Sequence, residues 1–127
     1  MVRPKETRYN VNSLAAALAG LRHALTHEVN FQVEAVLAVL ALVFGIILGL
    51  THLEWLILVL TIGFVLALEL VNTGFEHLAD VNTPRFHSGI KIAKDVSAAA
   101  VLLASITALA IGVWLFVPRL AALFGIL

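Results

Sequence analysis

The sequence predicts an all-α integral membrane protein, with three transmembrane helices preceded by an amphipathic helix in the membrane interface. Three observations predict it. Of 127 residues, 61% are hydrophobic and only 13% charged, a balance at odds with a single water-soluble core. Three segments approach or exceed the run of about 20 mostly apolar helical residues that crosses roughly 30 Å of hydrocarbon. The basic residues are distributed unevenly around those segments.

Residues 1–11 (MVRPKETRYNV) read as a cytoplasmic tail, too polar to be the apolar block of a cleaved signal peptide. Residues 12–127 read as one membrane-embedded domain without internal repeats. Asn12 or Ser13 suits a helix N-cap. Beyond it Leu14, Leu18, Leu21 and Leu25 form one stripe, with Arg22, His23 and Thr26 away from its centre, the pattern of a helix lying in the interface. Spans are expected at about residues 33–51, 55–79 and 96–118. The first has no formal charge between Glu34 and Glu54, and Glu28 and Glu34 stand at its entrance. The second is apolar except for Glu69 and Asn72. The third, VSAAAVLLASITALAIGVWLFVP, is uncharged and carries Ala100, Ala104, Ala108 and Gly112 at four-residue intervals, a track that reads as a packing surface. Thr83-Pro84 is expected to break the second helix after Asp80, and Ser88-Gly89 to mark a turn before the basic stretch IKIAKD.

Arg3, Lys5, Arg8 and Arg22 precede the first span, and Arg85, Lys91 and Lys94 separate the second from the third, whereas the connection THLE has no basic residue. The N-terminus and residues 80–95 are therefore expected on the cytoplasmic side and the C-terminus outside. Trp55 and Trp114 then fall at the outer interface, where indoles are favoured. The absence of cysteine excludes disulfides and thiolate metal sites.

One stretch, LELVNTGFEHLAD (68–80), breaks the apolar pattern. At about 100° per residue, Asn72, Glu76 and Asp80 fall at about −60°, −20° and +20° from Glu69, so all four share one face. The stripe rises roughly 16 Å from Glu69, inside the hydrocarbon, to Asp80 at the cytoplasmic surface, at about 1.5 Å per residue. An ionisable group near the centre of a span costs about 2.5 to 3.5 kcal/mol, so four polar residues on one arc facing a basic loop point to a site. At that depth lies the hydroxyl of a membrane alcohol, and Glu69 is placed to act as its general base. Glu76 and Glu28 offer hard oxygen ligands for Mg²⁺. Lys91, Lys94 and Arg85 supply positive charge to a transferring phosphoryl group. Together these parts describe a kinase for a lipid, although no GxxxxGK[ST] or protein-kinase signature is present.

Two rivals belong to other classes. A small ion or proton transporter would use Glu69 as its ion site, but no acidic residue lies between Trp55 and Leu68 to continue the path. A non-catalytic membrane scaffold would tolerate Glu69→Gln. His23 and His27, at i and i+4, lack a nearby third ligand in the sequence and read as solvated. His52 reads as structural, His77 as a neighbour of the site, and Glu54 as lying on the far side of the bilayer.

The string Glu69-Leu-Val-Asn72-Thr73-Gly74-Phe-Glu76-His-Leu-Ala-Asp80, with Pro84, His87 and Lys91-Ile-Ala-Lys94-Asp95, resembles the prokaryotic diacylglycerol kinase and undecaprenol kinase family. Gly20-Leu21, Glu28-Val-Asn30-Phe31 and Glu34 are similar to its N-terminal segment, so the likeness covers roughly residues 13–117. The resemblance implies a homotrimer of three-span subunits in a bacterial cytoplasmic membrane, with MgATP as donor and active sites shared between chains. It further implies Glu69 as catalytic base, Asn72 as an orienting group, and Glu28 and Glu76 as metal ligands with ATP. Asp80, Arg85, His87, Lys91, Lys94 and Asp95 would contact or organise the nucleotide; no nucleic-acid partner is expected. Glu28-x-Asn30-Phe31 and Lys91-x-Ala93-Lys94-Asp95 look more like the undecaprenol branch than the diacylglycerol branch. Departures are Gly74 where Ala or Ser is usual, a helical glycine consistent with close helix approach, Phe86 in place of tyrosine, and a bare Ala15–Ala19 segment.

Overall fold

Long uninterrupted apolar runs leave the backbone one way to satisfy its polar groups in hydrocarbon, which is to form helices. The computed structural model describes residues 13–82 and 88–126, and these contain α1 (Ser13–His27), α2 (Val29–Ile47), α3 (His52–Asn82) and α4 (Ser88–Leu123). Three of them, α2, α3 and α4, are long and apolar enough to cross a membrane. Their lengths differ in a way that positions the site. The 19 residues of α2 span about 28 Å, whereas the 31 of α3 and 36 of α4 reach about 46 and 54 Å at about 1.5 Å per residue. α3 and α4 are therefore longer than the roughly 30 Å of a hydrocarbon core, and α1 packs on α2 and α3.

The observed boundaries correct three expectations. α2 starts at Val29 and ends at Ile47 rather than spanning about 33–51, because the charges that bounded the apolar run do not themselves stop a helix. Its end is set by Gly49, whose φ of 67 fits a left-handed turn available to glycine. Ser88-Gly89 does not turn the chain before the basic stretch: Ser88 opens α4, and IKIAKD lies within its first turns, with Lys91 and Asp95 paired at i and i+4. α3 runs to Asn82, two residues beyond the expected end, while Thr83-Pro84 lies outside the described residues.

The connection THLE is a capping box. Glu54 Oε2 accepts from Thr51 N at 2.8 Å and from Thr51 Oγ1 at 2.7 Å, and Glu54 N donates back to Thr51 Oγ1 at 3.4 Å. The same Oε2 takes Arg119 Nη2 at 2.6 Å, which ties α3 to the far end of α4. Arg119 Nη1 also donates to the Leu115 carbonyl at 3.0 Å, next to Pro118, which brings no backbone donor to the helix. α4, which holds the expected third span, thus continues through Pro118 to Leu123 rather than ending there.

Leu50, Leu58 and Leu115 form the buried core at this far end, with Trp55, Ile62, Ile111 and Phe116 around it. Gly45 makes room for it: a Cβ there would stand 2.9 Å from Trp55 Cη2. Trp55 therefore packs on α2 rather than serving only as an interface anchor, while Trp114 is exposed. Elsewhere the large apolar side chains point outward, among them Leu60, Leu109 and Ile46. Such an apolar surface is suited to lipid rather than water. On α1 all four stripe leucines are exposed and Ala24 makes the buried contact. In the four-residue track on α4 only Ala104 is buried, and a Cβ on Gly112 would touch nothing within 4 Å.

Candidate active site

The 3.6-residue repeat of α3 puts Glu69, Asn72, Thr73 and Glu76 on its inner side at the polar end of the bundle. Glu69 is 3% and Asn72 5% exposed, so the two most polar residues of the second span turn away from lipid. Glu76 is half-buried and Asp80 exposed, which makes the stripe wetter toward its end.

Other elements meet this face. The carboxylates of Glu34, Glu76 and Glu28 all lie within electrostatic reach of Glu69, and the Asn30 side chain hydrogen-bonds to it. Asn72 Nδ2 donates to Glu76 Oε1 at 3.2 Å, and Asn72 Oδ1 accepts from Ser97 Oγ of α4. Asn72 is thereby held on both sides, its amide assigned by donor and acceptor alike. Glu34 Oε1 accepts from Ser105 Oγ at 3.2 Å, while its buried Oε2 has no hydrogen-bond partner among the described residues. In the wetter layer Lys94 Nζ meets Asp80 Oδ1 at 2.9 Å, and Lys91 Nζ meets Asp95 Oδ2 at 2.5 Å. Both pairs are solvent-accessible and hence weak, so a phosphate can compete for either lysine. Glu28 Oε1 contacts His77 Nε2 at 3.0 Å. Arg85 and His87 lie outside the described residues.

Of the residues singled out in the sequence, Glu69, Asn72, Glu76 and Glu28 are thus gathered at one end, with Asp80, Lys91, Lys94 and Asp95 paired above them. Asn30, Glu34, Ser97 and Ser105 were not singled out as site residues. The available signal was their polarity inside otherwise apolar helices, since a serine within VSAAAV or ASIT needs a hydrogen-bond partner in hydrocarbon. Glu34, expected at the entrance of a span, sits inside α2 instead.

Two grooves flank the site. One of about 620 Å³ runs between α2, α3 and α4, apolar apart from Glu34, Thr61 and Ser105. The other, about 450 Å³, opens between α3 and α4 beside Asn72 and Ser97.

Gly74 corrects one expectation. A Cβ there would meet nothing within 4 Å among the described residues, so no close approach among them calls for glycine. Gly74→Ala is therefore expected to raise thermal stability, by up to about 1 kcal/mol of helix propensity. A fall in the melting temperature of the assembled protein would instead mark Gly74 as a seam between subunits.

The carboxylate-lined helix face and its basic cover can be set beside known proteins. The family model for prokaryotic diacylglycerol kinase matches residues 15–116. The chain is 37% identical over 108 residues to the undecaprenol kinase of Bacillus subtilis, covering 85% of this chain and 88% of that one. It is 36% identical over 112 residues to a diacylglycerol kinase of Synechocystis, covering 87% of this chain and 64% of that relative. It is 34% identical over 95 residues to the diacylglycerol kinase of Haemophilus influenzae, covering 74% and 80%. With four-fifths of its length inside the family model and a 37% identical relative covering 85% of it, the chain belongs to the prokaryotic diacylglycerol kinase family.

Proposed function

We propose that the chain is a lipid kinase that moves the γ-phosphoryl group of ATP to the hydroxyl of a membrane alcohol, undecaprenol in preference to diacylglycerol. The observation that carries this reading is the buried Glu69, set at the polar end of the bundle among other carboxylates and beneath two lysines. Glu69 accepts the proton of the alcohol as its oxygen attacks the γ-phosphorus. The new C–O–P linkage forms as the bond to ADP breaks. Asn72 acts as a positioning residue, because it holds Glu76 and is itself held by Ser97.

The residues present fit a divalent ion of the Mg²⁺ kind. Glu28, at the N-cap of α2, and Glu76, within α3, bring hard oxygen donors to the neighbourhood of one buried acid. Bound there with nucleotide, Mg²⁺ would neutralise phosphate charge. Lys91 and Lys94, with Arg85 and His87, attract the phosphates, and Asp80 and Asp95 hold the lysines in place until then. The membrane orientation follows the basic residues, with the N-terminus and residues 80–95 cytoplasmic and α1 resting its leucines in the interface. A homotrimer with shared sites suits the exposed apolar flanks, since three spans can hardly enclose so many ionised groups. Undecaprenol is favoured by the Glu28-x-Asn30-Phe31 segment and by the relative named for that alcohol.

A transporter would need polar groups continuing toward the opposite face. Among the described residues, that end of the bundle instead carries Glu54 and Arg119 closed on each other at 2.6 Å.

The test offers purified protein labelled ATP and Mg²⁺ in mixed micelles with undecaprenol and diacylglycerol in parallel. Label is expected in an organic-phase phosphomonoester, faster with undecaprenol. Transfer to neither alcohol would return the transporter and scaffold readings.

A further inference from the structure

His23, which the sequence left as a solvated residue, and His77, read there as a neighbour of the site, meet across the bundle. His23 of α1 and His77 of α3 bring their Nε2 atoms to 3.4 Å of each other. Glu28 Oε1 lies 3.0 Å from His77 Nε2 and 3.6 Å from His23 Nε2. Spacing alone set His23 beside His27, and with no third ligand nearby in the sequence both read as solvated. In the structure His27 lies along His23 as a stacked ring, 4.7 Å between centroids and 16° between planes, and the ligating directions of His23 point elsewhere.

We propose that His23, His77 and Glu28 form a site for a borderline transition-metal ion of the Zn²⁺ class. The geometry carries this first. Three donor atoms bound to one tetrahedral ion at about 2.0–2.1 Å stand about 3.3 Å apart, and the separations here bracket that edge. Without an ion, the same arrangement points two imidazole nitrogens and a carboxylate oxygen at one small volume. The chemistry carries it second. Two imidazoles and one carboxylate are a donor set that selects Zn²⁺, Co²⁺ or Ni²⁺ over Mg²⁺, which prefers oxygen throughout. Access carries it third. The three side chains are 47%, 58% and 26% exposed, so an ion can enter from solvent and keep water in its open position. His27 stacked on His23 limits rotation of that ring, the kind of support that holds a ligating imidazole in place.

This ligand set differs from the two-carboxylate arrangement proposed for Mg²⁺, but it shares Glu28. Resting on the kinase reading, occupancy by Zn²⁺ withdraws Glu28 from the nucleotide-bound metal and slows phosphoryl transfer. The site is a metal-sensitive brake at the junction of α1 and α3.

The binding test needs neither nucleotide nor lipid. Tag-free full-length protein in detergent is titrated with Co²⁺ and followed by its visible d–d absorption, after which Zn²⁺ is added to displace it. One equivalent per chain is expected, with tetrahedral band intensity. His23→Ala and His77→Ala should each weaken binding by about tenfold or more, while His52→Ala, at the other end of the bundle, should not. Binding that survives His77→Ala, or the absence of stoichiometric Co²⁺ bands in the unaltered protein, overturns the site. In the second arm Zn²⁺ is added to the Mg²⁺-supported kinase assay. Each variant is compared with its own rate before addition; the unaltered protein should slow, and the two histidine variants should resist. Equal slowing of all three overturns the brake. A protein that transfers no phosphate at all counts against the kinase reading and leaves the Co²⁺ result intact, so the two failures are told apart.

Discussion

Glu69→Gln should lower the rate of phosphoryl transfer by about 10² to 10⁴-fold, the range that a positioned general base supplies. In barrier terms that is about 3 to 5 kcal/mol. The substitution keeps shape and hydrogen-bonding capacity while removing the capacity to take a proton. It should not harm the fold. Glu69 is 3% exposed and lies within reach of the like-charged Glu34, Glu76 and Glu28, so a neutral side chain relieves repulsion rather than creating it. The measurement pairs a micelle assay with thermal unfolding and nucleotide binding. Lost turnover with unchanged ATP affinity and an equal or higher melting temperature fits a base; a residual rate within about tenfold of the original would mean that the alcohol loses its proton elsewhere.

Glu76→Gln separates metal binding from positioning. Glutamine retains an Oε1 that can accept from Asn72 Nδ2, so the bond at 3.2 Å and the clamp to Ser97 can persist. What disappears is the negative charge. The Mg²⁺ concentration for half-maximal rate should rise about 100-fold or more, the upper end of what loss of even an outer partner costs a metal site. The fold should tolerate it, because Glu76 is half-buried and open to water on one side. The readout is rate against Mg²⁺ at saturating ATP. An unchanged Mg²⁺ dependence, whatever the maximal rate, removes Glu76 from the metal and leaves it a neighbour of Asn72.

Much of this site was legible in the chain. The recurrence of Glu69, Asn72, Glu76 and Asp80 at three and four residues is a property of the helix itself, and the structure buries the first two of them. The uncharged runs fixed three spanning helices, because only a helix or a closed barrel satisfies a backbone in hydrocarbon. Boundaries were less legible, since a charge such as Glu34 ends an apolar run without ending a helix. The capping box at Thr51 to Glu54 stood in the sequence as T-x-x-E, yet its glutamate also pairs with Arg119, 65 residues away.

The sequence by itself determined which residues share a face of each helix, how many helices can span a membrane, and which end of the bundle is polar. Only the tertiary structure decided what each face meets: Ser97 on Asn72, Ser105 on Glu34, Asn30 on Glu69, and His23 with Glu28 on His77. The reason is geometric. The period of a helix follows from local backbone bonds and is written in the chain. The rotation and offset between helices are set by packing at contacts such as Gly45 against Trp55 and the buried Ala104, and a shift of about 1.5 Å, one residue, would exchange every one of those partners.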